Sequence, residues 1–344
     1  MALRSRPNRL EVKHLVKTII AAKGLNEYRR LVSLQPTTNC PETPSPFLHF
    51  MTEHMMTIDA HHHLWDLEAV HYPWLSAQGE PRFFGDPSPI QRNYLIDEFR
   101  EDARNNGFKG SVHIQVGAAD PWGEATWVDG IARTHPDWPL VQVAFCDLTS
   151  DQREHELDRL QTLGSIRGVR QIVGRAPGED AASGTNTLIE SDAFAQGLKS
   201  LQDRGLSFDL QLLPELMAPT AMVLRDTPDL RVALCHAGSP YDRSADGIRS
   251  WSEQLIELSA LPNIYCKLSG LGMFDHQWET ESFLPIVETC LEQFGADRCM
   301  FGSNFPVDSL TSTYSRLIEA YRTLIPLSDH SSCFGQTAFH FYRF

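Results

Sequence analysis

From Thr57 to the C-terminus the chain repeats one unit eight times: a short apolar, β-branched run ending in polar residues, then a longer stretch with apolar residues three and four apart. The runs at 57–63, 110–117, 140–148, 166–174, 206–214, 231–238, 263–270 and 299–306 read as strands. The stretches between them read as helices; "YLIDEFREDARNNG" should stop at Gly107 and "DQREHELDRLQTLG" at Gly164. Strands that alternate with helices lie parallel, because a parallel pair needs a crossover. Eight such units imply an α/β fold of the closed (β/α)8 TIM-barrel type. An open doubly wound sheet would show a glycine-rich phosphate turn after its first strand. This first strand ends in histidines instead, within "TIDAHHHLWDL".

In a barrel of this kind the chemistry gathers at the C-terminal ends of the strands. Those ends carry His61, His63 and Trp65, then His113 and Gln115, Asp147, Arg170 and Gln171, Asp209 and Gln211, His236, Lys267, and lastly Asn304 with Asp308. Buried polar groups cost free energy unless paired, so their gathering at one end points to a site. Side chains alternate along a strand, which puts His61 and His63 on one face and His62 on the other. A His-x-His pair can hold a metal, or a carboxylate or lactone oxygen. Trp65 is either a stacking surface for a flat ring or a core aromatic. Arg170 either clamps a substrate carboxylate or pairs with Asp209 or Asp147. Lys267 either reaches a carboxylate or oxyanion, or extends away from the site. Gln115 and Asp209 complete the candidate substrate-binding set, and His62 is assigned to structure.

Composition narrows the partners. The formal charge of −14 argues against nucleic acid and anionic membranes. No apolar run approaches the roughly 20 residues of a membrane span. The seven cysteines are scattered with no Cys-x-x-Cys, as expected for free thiols of a reducing, cytoplasmic compartment. Residues 1–50 differ from the rest, with eight Lys/Arg against three acids and a Pro-rich exit, "PTTNCPETPSP". They read as an extension outside the core fold, either a mitochondrial-type targeting segment or an upstream extension, with the barrel in 51–344.

The pieces "IDAHHHLWD", "HYPWL", "GVRQI", "LSFDLQL", "CHAGSP", "YCKLSGLGM", "RCMFGSNFPVD" and "GQTAFHFY" run in order through the chain. Together they resemble the amidohydrolase-related proteins of the amidohydrolase superfamily, in the metal-dependent hydrolase and lactonase branch. The resemblance implies that His61, His63 and His236 polarise a carbonyl or hold one divalent metal, zinc or manganese. It also implies a small-molecule substrate, an anionic or polyhydroxylated lactone of the sugar-acid or muconolactone and pyrone type. The oligomeric state stays open, a homodimer included. Asn304 departs from the family pattern, which carries an aspartate there as the base that takes a proton from water. Asp308 is the nearest acid in sequence and the alternative base. The fourth strand has Arg170 and Gln171 where binuclear members carry a bridging lysine, so two metals are not expected. Two other activities stay open: metal-dependent non-oxidative decarboxylation of an aromatic or unsaturated acid, and ligand binding without catalysis.

Overall fold

The computed structural model describes residues 56–344 except 78, 81 and 175–183. The expected extension at 1–50 lies outside the described residues. Eight strands form one sheet in the order β1 to β8: Ile58–His62, Gly110–Ile114, Leu140–Ala144, Ile166–Ile172, Ser207–Gln211, Val232–Leu234, Ile264–Leu268 and Cys299–Phe301. Every neighbouring pair from β1 to β8 is parallel. The first and last strands meet through two backbone bonds just past β8. Asn304 N–H donates to the His61 carbonyl, and His63 N–H to the Phe305 carbonyl, both at 2.7 Å. The result is a (β/α)8 barrel, as the eightfold alternation implies. Each observed strand lies inside the run expected from sequence.

The crossover helices are α1 (Ile96–Asn105), α2 (Pro121–Thr134), α3 (Arg153–Leu160), α4 (Asp192–Asp203), α5 (Met217–Leu224), α6 (Ala245–Ser259), α7 (Thr280–Phe294) and α8 (Tyr314–Leu324). Several start where the sequence supplies a cap. Ser191, Ser244 and Thr313 accept from the backbone N–H three residues on, and Glu279 with Ser282 forms a reciprocal capping box. Gly107 adopts a φ of +87° directly after α1, the left-handed stop its glycine permits. Gly164 does not end α3, which stops at Leu160 and continues in turns.

The barrel interior holds Ile58, Ala60, Val112, Ile114, Val141, Val143, Ala233 and Met300, packed on Phe339, Phe341 and Tyr342. Those aromatics belong to a last helix, α9 (Thr337–Tyr342). It lies at the N-terminal end of the barrel, where Arg231, just before β6, donates to the Phe341 carbonyl. Tyr342 reaches inward, its hydroxyl 2.9 and 3.0 Å from the two oxygens of Asp209. Asp209 in turn pairs with Lys267, and both side chains are wholly buried. A buried pair is tolerated when its remaining valences are satisfied, as the tyrosine does here. With this end plugged, the opposite end is left for chemistry.

Candidate active site

The first strand is not regular. Asp59 lies opposite Ser111 and His62 opposite His113, so Ala60 and His61 together face the single residue Val112. This bulge turns the phase of the strand. Ile58 and Ala60 point into the barrel, and strict alternation would send His61 and His63 outward. With the bulge both point inward, and His62 points out to stack on Phe99 of α1 at 3.8 Å and 8°. The His61 and His63 rings are 5.1 Å apart, and His61 lies 4.5 Å from His236.

The backbone is built around these rings. His236, Ala237, Ser239 and Asn304 all have φ between 51 and 57°, in the left-handed region. Such residues are uncommon and cluster at functional sites. Two motif glycines make room for the imidazoles. A Cβ on Gly270 would stand 2.4 Å from His236 Nδ1, and one on Gly302 would stand 2.5 Å from the His61 Cβ. Asp59 ties the two ends together, accepting from His61 N–H at 3.1 Å, Ser303 N–H at 2.9 Å and the Tyr314 hydroxyl at 3.0 Å.

A cavity of about 460 Å³ opens above. It is lined by His63, His236, Asn304, Arg170, Gln171, Gln115 and Gln211 at its floor, and by Trp74, Arg82, Phe83, Phe84, Phe145, Ile172, Met273 and Val307 on its walls, with Pro73, Val116 and Gly117. Of the residues expected from sequence, His63, His236, Asn304, Arg170 and Gln115 line it. His61 lies beneath, against His236. Asp308 is buried behind Asn304. Asp209 and Lys267 pair below and do not line the cavity. Trp65 does not line it either: its indole N–H donates to the Arg92 carbonyl, and its edge meets Trp74. The indole facing the cavity is Trp74, whose N–H donates to the Val116 carbonyl at 2.7 Å. Trp74, Arg82 and the phenylalanines come from loops, where no periodicity marks them. Arg170 is held in place by Gln211 at 3.2 Å and by the Gln115 carbonyl.

Burial holds His61, His63 and His236 well below the ordinary histidine range. Lys267 adds to it most strongly at His61, and Arg170 at His63 and His236. They are neutral imidazoles at physiological pH, and this fixes a proton count. His63 Nδ1 lies 2.8 Å from the Ile114 carbonyl, which can only accept, so Nδ1 carries the hydrogen. The other nitrogen, Nε2, then holds a lone pair, 3.2 Å from the Asn304 side-chain amide. The far side of that amide meets Asp308 at 2.9 Å. The Asn304 NH2 donates to Asp308 Oδ1 and its own oxygen faces His63 Nε2, the orientation that pairs an ionised Asp308 with a His63 protonated at both nitrogens; turned over, the amide would donate to neutral His63 and face a protonated Asp308. Burial pushes Asp308 up to about 7, so both orientations are open near neutrality. His63, Asn304 and Asp308 therefore share one proton through an amide that can face either way.

The same shifts set stability against pH. In the unfolded chain His61, His62, His63, His113 and His236 bind protons below about 6.5. In the folded chain burial lowers all five, so stability rises with pH up to that value. Asp59, Asp308 and Glu124 act in the opposite direction, raised by burial to about 6, 7 and 8. Their contributions are complete below about pH 4 and fade as pH rises through those values. The five histidines outweigh the three carboxyls in acid, and only the carboxyls act above about pH 6.5. Calorimetry should give a Tm that peaks between about pH 6 and 7. A Tm that rises or falls steadily from pH 4.5 to 9 would contradict these protonation states.

Buried imidazoles and an arginine thus meet at the C-terminal mouth of a (β/α)8 barrel, the end at which barrel chemistry gathers. The sequence matches the amidohydrolase family over residues 58–344, and the chain belongs to that family. It is 37% identical over 292 residues to the uncharacterized protein y4mH of Sinorhizobium fredii (strain NBRC 101917 / NGR234), covering 83% of this chain and 98% of that one. It is 27% identical over 299 residues to an L-fucono-1,5-lactonase of Burkholderia multivorans (strain ATCC 17616 / 249), covering 82% and 94%. Its fold matches that of a Burkholderia multivorans amidohydrolase solved with bound zinc, with a TM-score of 0.69, 23% identity and coverage of 84% and 99%.

The three imidazoles that the resemblance implies as metal ligands, His61, His63 and His236, stand 4.5 to 5.1 Å ring to ring around His61, and their nitrogens differ in what they contact. Both His61 ring nitrogens lack hydrogen-bond partners. His236 uses Nδ1 on the Ser269 hydroxyl at 3.0 Å and keeps Nε2. His63 Nδ1 is held by the Ile114 carbonyl, and its Nε2 faces the Asn304 side chain at 3.2 Å. Among the described residues no group of three or more His, Cys, Asp or Glu is placed to hold a metal ion.

Proposed function

We propose that the protein is a hydrolase that opens a small lactone or cyclic ester. The observation that carries this reading is the His63–Asn304–Asp308 chain, whose His63 and Asn304 line one cavity with His236 while Asp308 lies behind them. It sets a proton acceptor next to an imidazole free to donate. If the Ser269 hydroxyl donates to His236 Nδ1, Nε2–H points at the ligand and polarises its carbonyl. Water attacks that carbonyl and gives its proton to His63 Nε2. The tetrahedral intermediate collapses, the ring C–O bond breaks, and the leaving oxygen takes the proton back from His63. The product is a hydroxy acid. Arg170 orients the acyl portion, and Trp74 and Phe84 cover the ring. The lactonase relative supports the reaction class.

The test is a screen of aldono-1,5-lactones and 2-pyrone carboxylates against dihydroxybenzoic acids, followed by acid release and by CO2. Acid release from one lactone class, with kcat/KM of at least about 10⁴ M⁻¹ s⁻¹, is expected. CO2 from an aromatic acid, with no lactone opened, would replace this reading by decarboxylation.

A further inference from the structure

The charge of the cavity does not match the charge of the chain. The sequence carries 44 acidic residues against 30 Lys and Arg. Yet among the described residues the cavity is lined by two arginines, Arg82 and Arg170, and by no aspartate or glutamate. Arg82 comes from the long loop between β1 and α1. Its guanidinium lies 5.7 Å from the centre of the Trp74 ring and 5.9 Å from that of Phe84. Its Nε is buried and has no hydrogen-bond partner among the described residues. A guanidinium stacked on aromatic faces keeps its planar edge of N–H donors for a carboxylate. A cation drawn into a partly desolvated wall gains most from an anionic partner, and among the described residues no acid pairs with Arg82.

We propose that Arg82 is a specificity residue that binds a carboxylate of the substrate, and that the substrate is therefore a flat, anionic lactone rather than a neutral sugar lactone. This deepens the hydrolytic reading and rests on it for the word lactone. The aromatic walls fit a planar ring, and Arg170 lies at the floor where the reacting end of the molecule would reach. Arg82 is a loop residue, so it selects the ligand without belonging to the barrel's own packing.

The test separates binding from turnover. Isophthalate, a planar dianion, and isophthalamide, the same ring without charge, are titrated calorimetrically into the full-length protein and its Arg82→Gln and Arg82→Lys variants. Isophthalate should bind at least tenfold more tightly than isophthalamide. Arg82→Gln should weaken isophthalate about tenfold and leave isophthalamide within about twofold, since a charged hydrogen bond is lost from one ligand only. Arg82→Lys should keep the charge but lose the two-pronged contact, and fall between. Equal binding of the two probes, no binding of either, or an Arg82→Gln affinity for isophthalate within twofold of the parent would overturn the proposal. Isophthalate binding that depends on Arg82, with no lactone opened, would leave the anion site standing and remove the hydrolytic reading. Lactone opening without isophthalate binding would do the reverse.

Discussion

Removing the His236 imidazole is expected to lower kcat/KM on the lactone substrate by about 10²–10³, the usual loss when a donor to the developing oxyanion is deleted. The choice of replacement matters, because His236 has a φ of 54°. Alanine in the left-handed region adds strain of about 1 kcal/mol or more, whereas asparagine adopts that region readily. His236→Asn therefore removes the ring with little strain, and its Tm should stay within about 3 °C of the parent, roughly a 1 kcal/mol change for a domain of this size. His236→Ala should lose the same rate and some stability besides. It also leaves a gap of imidazole shape between His61 and Ser269, which His236 contacts at present. Free imidazole should restore part of the rate to the alanine variant and little to the asparagine variant. An unchanged rate in His236→Asn would remove this residue from the chemistry.

The eight strands are legible in the sequence because a parallel barrel buries both faces of each strand, so each reads as a compact apolar run. The polar residues that end those runs gather at one mouth for the same reason: that is where the core stops. The side chain direction of the histidines is a different matter. Alternation correctly separates His61 and His63 from His62, but it cannot say which side faces in. Ala60 and Ile58 are the inward residues of β1, and only the bulge at Ala60 and His61 brings the histidines to the same side. A bulge is set by how β1 meets β2, and a single strand's sequence does not contain that information. The Asp308–Asn304 contact is local, four residues apart, and was within reach. The Lys267–Asp209 pair spans 58 residues and takes both side chains out of the cavity they were expected to line. Trp65 and Trp74 have equal claims by composition. The structure turns Trp74 to the cavity because Trp65 is locked behind it by Arg92.

Asn304→Asp should make this site bind a divalent metal more tightly and leave its hydrolytic rate no better. Asn304 has a φ of 57°, a conformation aspartate also accepts, so the backbone need not move. The new carboxylate would lie where the amide now meets Asp308 at 2.9 Å. Two carboxylates at that distance cannot both ionise, and one keeps its proton well above the ordinary range. The proton now shared by His63 and Asp308 would be held by the two acids instead. Without metal, the variant should be less stable than the parent above neutrality, since buried like charges are forced together as pH rises through the pair's raised value. Zinc would relieve this, because the new carboxylate adds an anionic donor beside the nitrogens of His61 and His236. Added zinc should therefore raise the Tm of the variant by several degrees more than that of the parent, through binding to the folded state alone. The pH–rate profile should shift its midpoint upward in the metal-free variant, with kcat at neutrality equal to or below the parent's. Metal content after dialysis, Tm with and without zinc, and the pH–rate profile decide the matter together. A variant that takes up no more zinc than the parent and hydrolyses lactone much faster at pH 7 would show that position 304 wants a base, and that His63 with Asp308 does not supply one.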